Sequence, residues 1–231
     1  MHDFAQMYED GRKAIETGQT FVEQPLHEGG RWGASAILRP TGEVLDRLAE
    51  LAASAGVAAG PGQWVHDRRV LHFTLRALER YRSVISADDP RRLVYAECLR
   101  AAVAGLSPIE IDLVGIVPHP GGVLVAGRPV GDTIVTLQQR LAQGLLERGV
   151  HDLEYETRDQ LVRDRWYVSL VHFAAPVAKP RSLLRWCEER RGLVVGRATL
   201  SEVEIMHAVQ TGQGVRLDPL ETASLDTVVA G

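Results

Sequence analysis

From residue 32 onward, short apolar runs alternate with amphipathic stretches, and the connections between them are short and rich in Pro and Gly. Parallel strands need a crossover of a dozen or more residues, whereas antiparallel neighbours need only a tight turn. The pattern therefore predicts an α+β fold with largely antiparallel sheets, not a doubly wound parallel sheet. Residues 34–38 read as a strand stopped by Pro40. Thr41 opens a helix through Val44, Leu45, Leu48, Leu51 and Ala55, with Gly56 as its stop. Residues 70–75 form the next strand, and Asp88-Asp89-Pro90 starts a helix running through Leu99 to Val103. Residues 109–114 alternate apolar with acidic side chains as a half-buried strand does, the Pro/Gly-rich 118–122 breaks it, and 123–126 return. Ile134, Leu137, Leu141 and Leu145 mark a helix closed by Gly149. Residues 151–164 read as a charged loop, 167–171 as a strand and 180 to about 191 as a helix, followed by strands near 200–209 and 215–217.

Residues 1–31 read as a separate polar extension, its apolar residues too scattered for a core helix, free to dock on the body or to fray. No Gly-x-Gly-x-x-Gly follows a strand and no Gly-Lys-Ser/Thr loop occurs, which argues against nucleotide binding of Rossmann or P-loop type. The 26 basic and 30 acidic side chains leave a formal charge of −4, a poor match for long duplex nucleic acid. Lys13 and Lys179 are the only lysines, so local anion binding falls to arginine. Two distant cysteines, Cys98 and Cys187, suit neither a disulfide framework nor a Cys-based zinc site and point to a reducing cytoplasm. No apolar run approaches the roughly 20 residues of a membrane-spanning helix, and Met1-His2-Asp3-Phe4 lacks the pattern of a signal peptide.

A weak internal echo carries the chemistry. Strand–helix–strand units occur twice, and each half holds one strand reading ring-apolar-hydroxyl-leucine: His72-Phe73-Thr74-Leu75 and Tyr167-Val168-Ser169-Leu170. Residues i and i+2 of a strand share a face, so His72 projects with Thr74, and Tyr167 with Ser169. Hydroxyls can hold phosphate oxygens, and an imidazole can move a proton near neutral pH.

The order of these elements over residues 33–225 resembles the 2H phosphoesterase superfamily, the LigT-like family of 2′-5′ RNA ligases and cyclic phosphodiesterases. The resemblance runs from Leu71-His72-Phe73-Thr74-Leu75 through Pro108-Ile109-Glu110-Ile111, the helix at 132–148 and Arg165-Trp166-Tyr167-Val168-Ser169-Leu170 to the closing strands. It implies a two-lobed α+β domain over 32–231, with antiparallel sheets lining a central cleft and helices outside. It implies a metal-independent phosphoesterase without cofactor, acting on a small nucleotide or RNA end: a 2′,3′-cyclic phosphate or a 2′-5′ phosphodiester. His72 would be the acid/base, with Thr74 and Ser169 as phosphate contacts.

The chain departs from the family pattern at Tyr167, where the second motif has histidine. Tyrosine, with an ordinary pKa of about 10, can donate a hydrogen bond but is a poor base at pH 7. The alternative reading is a degenerate relative that binds a nucleotide, RNA end or other phosphorylated ligand without turnover. His172 faces away from the cleft on a regular strand, and a bulge would rotate it inward. Arg76 shares the parity of His72 and Thr74, Arg165 that of Tyr167 and Ser169, and each is a candidate for neutralising a substrate phosphate. Arg163 precedes the second motif as well. Trp64, Phe73 and Trp166 are aromatics that could stack on a base, although Phe73 and Trp166 alternate with the cleft-facing residues and so belong to the hydrophobic layer. His66 reads as an exposed loop histidine, and a metal site of His66, His72 and His172 matches no familiar ligand spacing.

Overall fold

The computed structural model describes residues 4–150, 163–212 and 214–226. The elements run α1 (Phe4–Thr17), β1 (Ser35–Leu38), α2 (Gly42–Ala59), β2 (Trp64–Val65), β3 (Phe73–Ala77), α3 (Pro90–Val103), β4 (Ile109–His119), β5 (Gly122–Val130), α4 (Thr133–Glu147), β6 (Trp166–His172), α5 (Pro180–Glu188), β7 (Val194–Leu200), β8 (Glu202–Thr211) and β9 (Gly214–Ser224). The strands form one curled antiparallel sheet in the order β7-β4-β5-β6-β3-β1-β8-β9, with β2 paired to β6. The two halves of the chain meet where Phe73 of β3 pairs with Val168 of β6. The α+β class and antiparallel sheet expected from the connections are what the chain adopts.

One face of the sheet is covered by helices. Phe73, Leu75, Val168 and Leu170 are fully buried there with Leu48 of α2, Leu99 of α3, Leu141 of α4 and Leu183 of α5. Trp166 joins that layer, so Phe73 and Trp166 are core residues. At about 25 cal/mol per Å² of apolar surface, this shared core is the main force holding the two motif strands side by side. Asp89 caps α3 by accepting from the backbone N–H groups of Arg91 and Arg92. Gly56 does not end α2, which runs on to Ala59 with Gly60 beyond it at φ 98°. A Cβ on Gly56 would meet Val65 Cγ2 at 2.5 Å, so the glycine serves close packing against β2.

The N-terminal extension differs from its expectation. Residues 4–17 form α1, whose Tyr8, Gly11, Ala14 and Ile15 are buried at helical spacing. Tyr8 clusters with Val117, Leu124 and Ala126 of β4 and β5, and Tyr167 packs against the same cluster. Beyond α1 the chain is tied down by Phe21 N–H to Pro120 O at 2.8 Å and Glu23 N–H to Phe173 O at 2.7 Å. Pro118 and His119 remain in β4, and the break falls at Pro120-Gly121. The short β2 and the strand β7 are additions to the expected elements, and the 151–162 part of the expected charged loop lies outside the described residues.

Candidate active site

β3 and β6 run antiparallel with Phe73 opposite Val168, so His72 stands opposite Ser169 and Thr74 opposite Tyr167. These four half-buried side chains line one cavity of about 350 Å³. His66, His172, Trp32 and Arg163 line it too. The His72 ring is held from both sides: Nδ1 lies 2.5 Å from Val70 O, and Nε2 lies 3.1 Å from Thr74 Oγ1. A carbonyl can only accept, so Nδ1 carries the proton and Nε2 presents its lone pair to the Thr74 hydroxyl. Burial, with the nearby Arg39 and Arg163 guanidinium groups, pushes His72 down to about 4. The imidazole is therefore neutral at pH 7, with an Nε2 lone pair able to accept a proton, and burial makes it a weaker base than a free imidazole.

Two strand irregularities decide which other residues reach the cavity. In β6, Leu124 pairs with Ser169 but Val123 pairs with Val171, so Leu170 is an extra residue. This bulge turns His172 onto the face of Tyr167 and Ser169. In β3, Ile37 pairs with Thr74 but Ala36 pairs with Arg76, so Leu75 is extra. Here the shift takes Arg76 off the cavity face: Arg76 is buried at 6 % exposure, and Ala77 lines the cavity in its place. Arg165 precedes β6 and its Nε is buried away from the cavity, whereas Arg163 lies over the Tyr167 ring at 5.5 Å. The two arginines expected from parity are thus replaced at the cavity by Arg163, joined by Arg31 and Arg80.

His66 is 5 % exposed, not a free loop residue, and its Nε2 lies 2.8 Å from His172 Nδ1. Burial pushes His66 down to about 3, and burial and the neighbouring His66 push His172 in the same direction. Among the described residues, no group of three or more His, Cys, Asp or Glu is arranged to hold a metal ion. Trp32, which the sequence does not mark, edges onto His172 with ring centroids 4.9 Å apart and onto Trp64 at 6.2 Å. Its indole N–H is 3.4 Å from the buried Glu23 carboxylate, which also accepts from Arg31 Nη1 at 3.0 Å. A further hollow of about 580 Å³ under α1, lined by Tyr8, Arg128, Trp166 and Arg191, holds neither motif hydroxyl nor histidine.

No family model and no curated protein matches the chain. Solved structures do match it. The Thermus thermophilus protein TT0787 aligns with a TM-score of 0.61 at 15 % identity over 85 % of this chain and 99 % of its own. A protein described as a phosphoesterase aligns at 0.55 and 14 % identity, over 88 % of this chain and all of its own. E. coli LigT complexed with 3′-AMP aligns at 0.56 and 13 % identity, over 85 % of this chain and 99 % of its own. At these identities the likeness is one of fold, and the fold of this chain is the LigT-like α+β fold.

Proposed function

We propose that this chain is a metal-independent phosphoesterase acting on a small nucleotide or RNA end, either a 2′,3′-cyclic phosphate or a 2′-5′ phosphodiester. The observation that carries the reading is the meeting of His72 and Thr74 with Tyr167 and Ser169 in one half-buried cavity across the β3–β6 pair. His72 Nε2, its partner nitrogen locked on Val70 O, takes a proton from the attacking hydroxyl or water. Thr74 and Ser169 donate to non-bridging phosphate oxygens, and the Tyr167 phenol donates to the phosphate or the leaving group. Arg31, Arg80 and Arg163 give the cavity positive charge in a chain whose formal charge is −4. A small phosphodiester needs only such local charge, and the fold neighbour complexed with 3′-AMP supports a nucleotide-sized ligand.

The test is hydrolysis of 2′,3′-cyclic AMP by the full chain in EDTA. His72→Ala is expected to lower kcat by about 10²- to 10⁴-fold, and an unchanged rate contradicts the reading. Tyr167 in the second motif favours one other outcome, binding without turnover. Tight binding of 3′-AMP by a wild-type chain that leaves the cyclic substrate intact selects that alternative.

A further inference from the structure

The bulge in β6 does more than tilt a side chain. It brings His172 beside Ser169, which itself faces His72, so two imidazoles border the same part of the cavity. His172 is also gripped by a second strand. Trp64 of β2 pairs with His172 and Val65 with Val171, and His66 N–H donates to Leu170 O at 2.9 Å. This places the buried His66 ring against the His172 ring, centroids 4.8 Å apart, with the 2.8 Å contact between His66 Nε2 and His172 Nδ1.

One proton joins the two rings across the 2.8 Å contact, and it sits on His172 Nδ1 when His66 Nε2 accepts. Neutral His66 then has its lone pair on Nε2 and accepts from His172 Nδ1. Neutral His172 is left with its lone pair on Nε2. This is the state His72 reaches by donating from Nδ1 to Val70 O. Two unrelated local arrangements, a carbonyl in one half and a histidine in the other, thus produce two imidazoles with the same free nitrogen in one cavity.

We propose that His172 is the second proton-transfer group of this site, with His66 as its positioning residue, and that Tyr167 contributes a hydrogen bond in place of proton transfer. The proposal rests on the phosphoesterase reading and extends it. In hydrolysis of a cyclic phosphodiester, a P–O bond to one ribose oxygen breaks and a P–O bond to water forms. One imidazole Nε2 accepts the proton that water loses, and the other imidazole, protonated beforehand, gives its Nε2 proton to the departing ribose oxygen. Both rings rest neutral, so the anionic substrate is bound with uptake of one proton. Product release and one proton exchange with solvent return the pair to its starting charge. His66 Nε2 accepts the Nδ1–H of His172 whether that ring is neutral or cationic, and so keeps its Nε2 turned to the cavity.

The charged and titratable groups that face His172 are His66, His72, Arg31 and His119. The experiment is the pH dependence of kcat for 2′,3′-cyclic AMP hydrolysis, with 3′-AMP affinity and thermal unfolding measured in each variant. His172→Gln is expected to lower kcat by about 10²-fold or more and to remove one limb of the bell, with 3′-AMP affinity falling by a smaller factor than kcat. His66→Gln is expected to displace that limb and lower kcat less. Tyr167→Phe is expected to keep both limbs and lose no more than about tenfold, one neutral hydrogen bond at most. A His172→Gln protein that retains both limbs, or a Tyr167→Phe protein that loses one, overturns the proposal while leaving the phosphoesterase reading intact. A wild-type chain without turnover overturns both.

Discussion

Trp32 is the described non-glycine residue with positive φ, at 69°, a conformation that costs a bulky side chain of order 1 kcal/mol or more. The Glu23 carboxylate and the edges of His172 and Trp64 hold its ring over the cavity. Such a conformation persists only where the surrounding contacts hold it in place. The same scale separates two neighbouring arginines. Arg163 lines the cavity over Tyr167, while the Arg165 Nε is buried outside it. Charge-assisted hydrogen bonds are worth about 1.5–3 kcal/mol, so Arg163→Gln is expected to raise KM for 2′,3′-cyclic AMP by about tenfold or more, and Arg165→Gln to change it less than about threefold. Steady-state kinetics with both variants check this. His72 and Thr74 were legible because alternation holds between them. Arg76 and His172 lie beyond an inserted residue, and one inserted residue reverses facing without any mark in composition. His66 was hidden because its partner is distant in sequence, 106 positions along the chain.

Among the elements, α1 shows how small residues conceal a helix. Its inward stripe of Tyr8, Gly11, Ala14 and Ile15 has helical spacing but little apolar bulk, and a mid-helix glycine costs about 1 kcal/mol relative to alanine. Contact explains the glycine: a Cβ on Gly11 would lie 2.1 Å from Pro118 O, so α1 approaches β4 closer than any other residue permits. Tyr8 locks the same contact from the side, donating its hydroxyl to Glu188 at 2.5 Å beneath the Arg191 guanidinium. Gly11→Val is expected to lift α1 from the sheet, lower the stability by about 1–3 kcal/mol and expose α1 amides to hydrogen exchange ahead of β4. Thermal unfolding and exchange mass spectrometry test it, and unchanged α1 protection contradicts the close-packing account. The helix α4 was legible because its inward stripe carries Ile134, Leu137, Leu141 and Leu145, and α2 because Val44, Leu45, Leu48 and Leu51 mark its period although most of its buried residues are alanine. The strand β7 went unseen because Val194 and Arg197 face solvent and Gly196 interrupts it.

At the scale of the whole molecule, one curled sheet joins the two halves, and the site lies at the seam between β6 and β3. Turn-rich connections made the antiparallel architecture legible, but strand order depends on long-range pairings that no local pattern records. Packing three histidines at the seam, His66 buried and His72 and His172 half-buried, also ties stability to pH. Unfolded, they bind protons near the ordinary value of 6.5, whereas folded His72 stays neutral to about 4 and His66 to about 3. The unfolded chain therefore binds more protons between these limits, and stability falls as pH drops from about 6.5 toward 4, being fully present above 6.5. Thermal unfolding is expected to show a Tm several degrees lower at pH 5 than at pH 7.5. His66→Gln should flatten that slope, and an unchanged Tm contradicts neutral burial of the cluster. The central claim is that the cavity at this seam receives a phosphate. A crystal structure of the full chain with 3′-AMP tests it most directly. The account predicts the phosphate within hydrogen-bond reach of His72 Nε2, Thr74 Oγ1 and Ser169 Oγ, with His172 Nε2 turned toward it. A nucleotide seated in the hollow under α1, or a seam left unoccupied at saturating 3′-AMP, would contradict it.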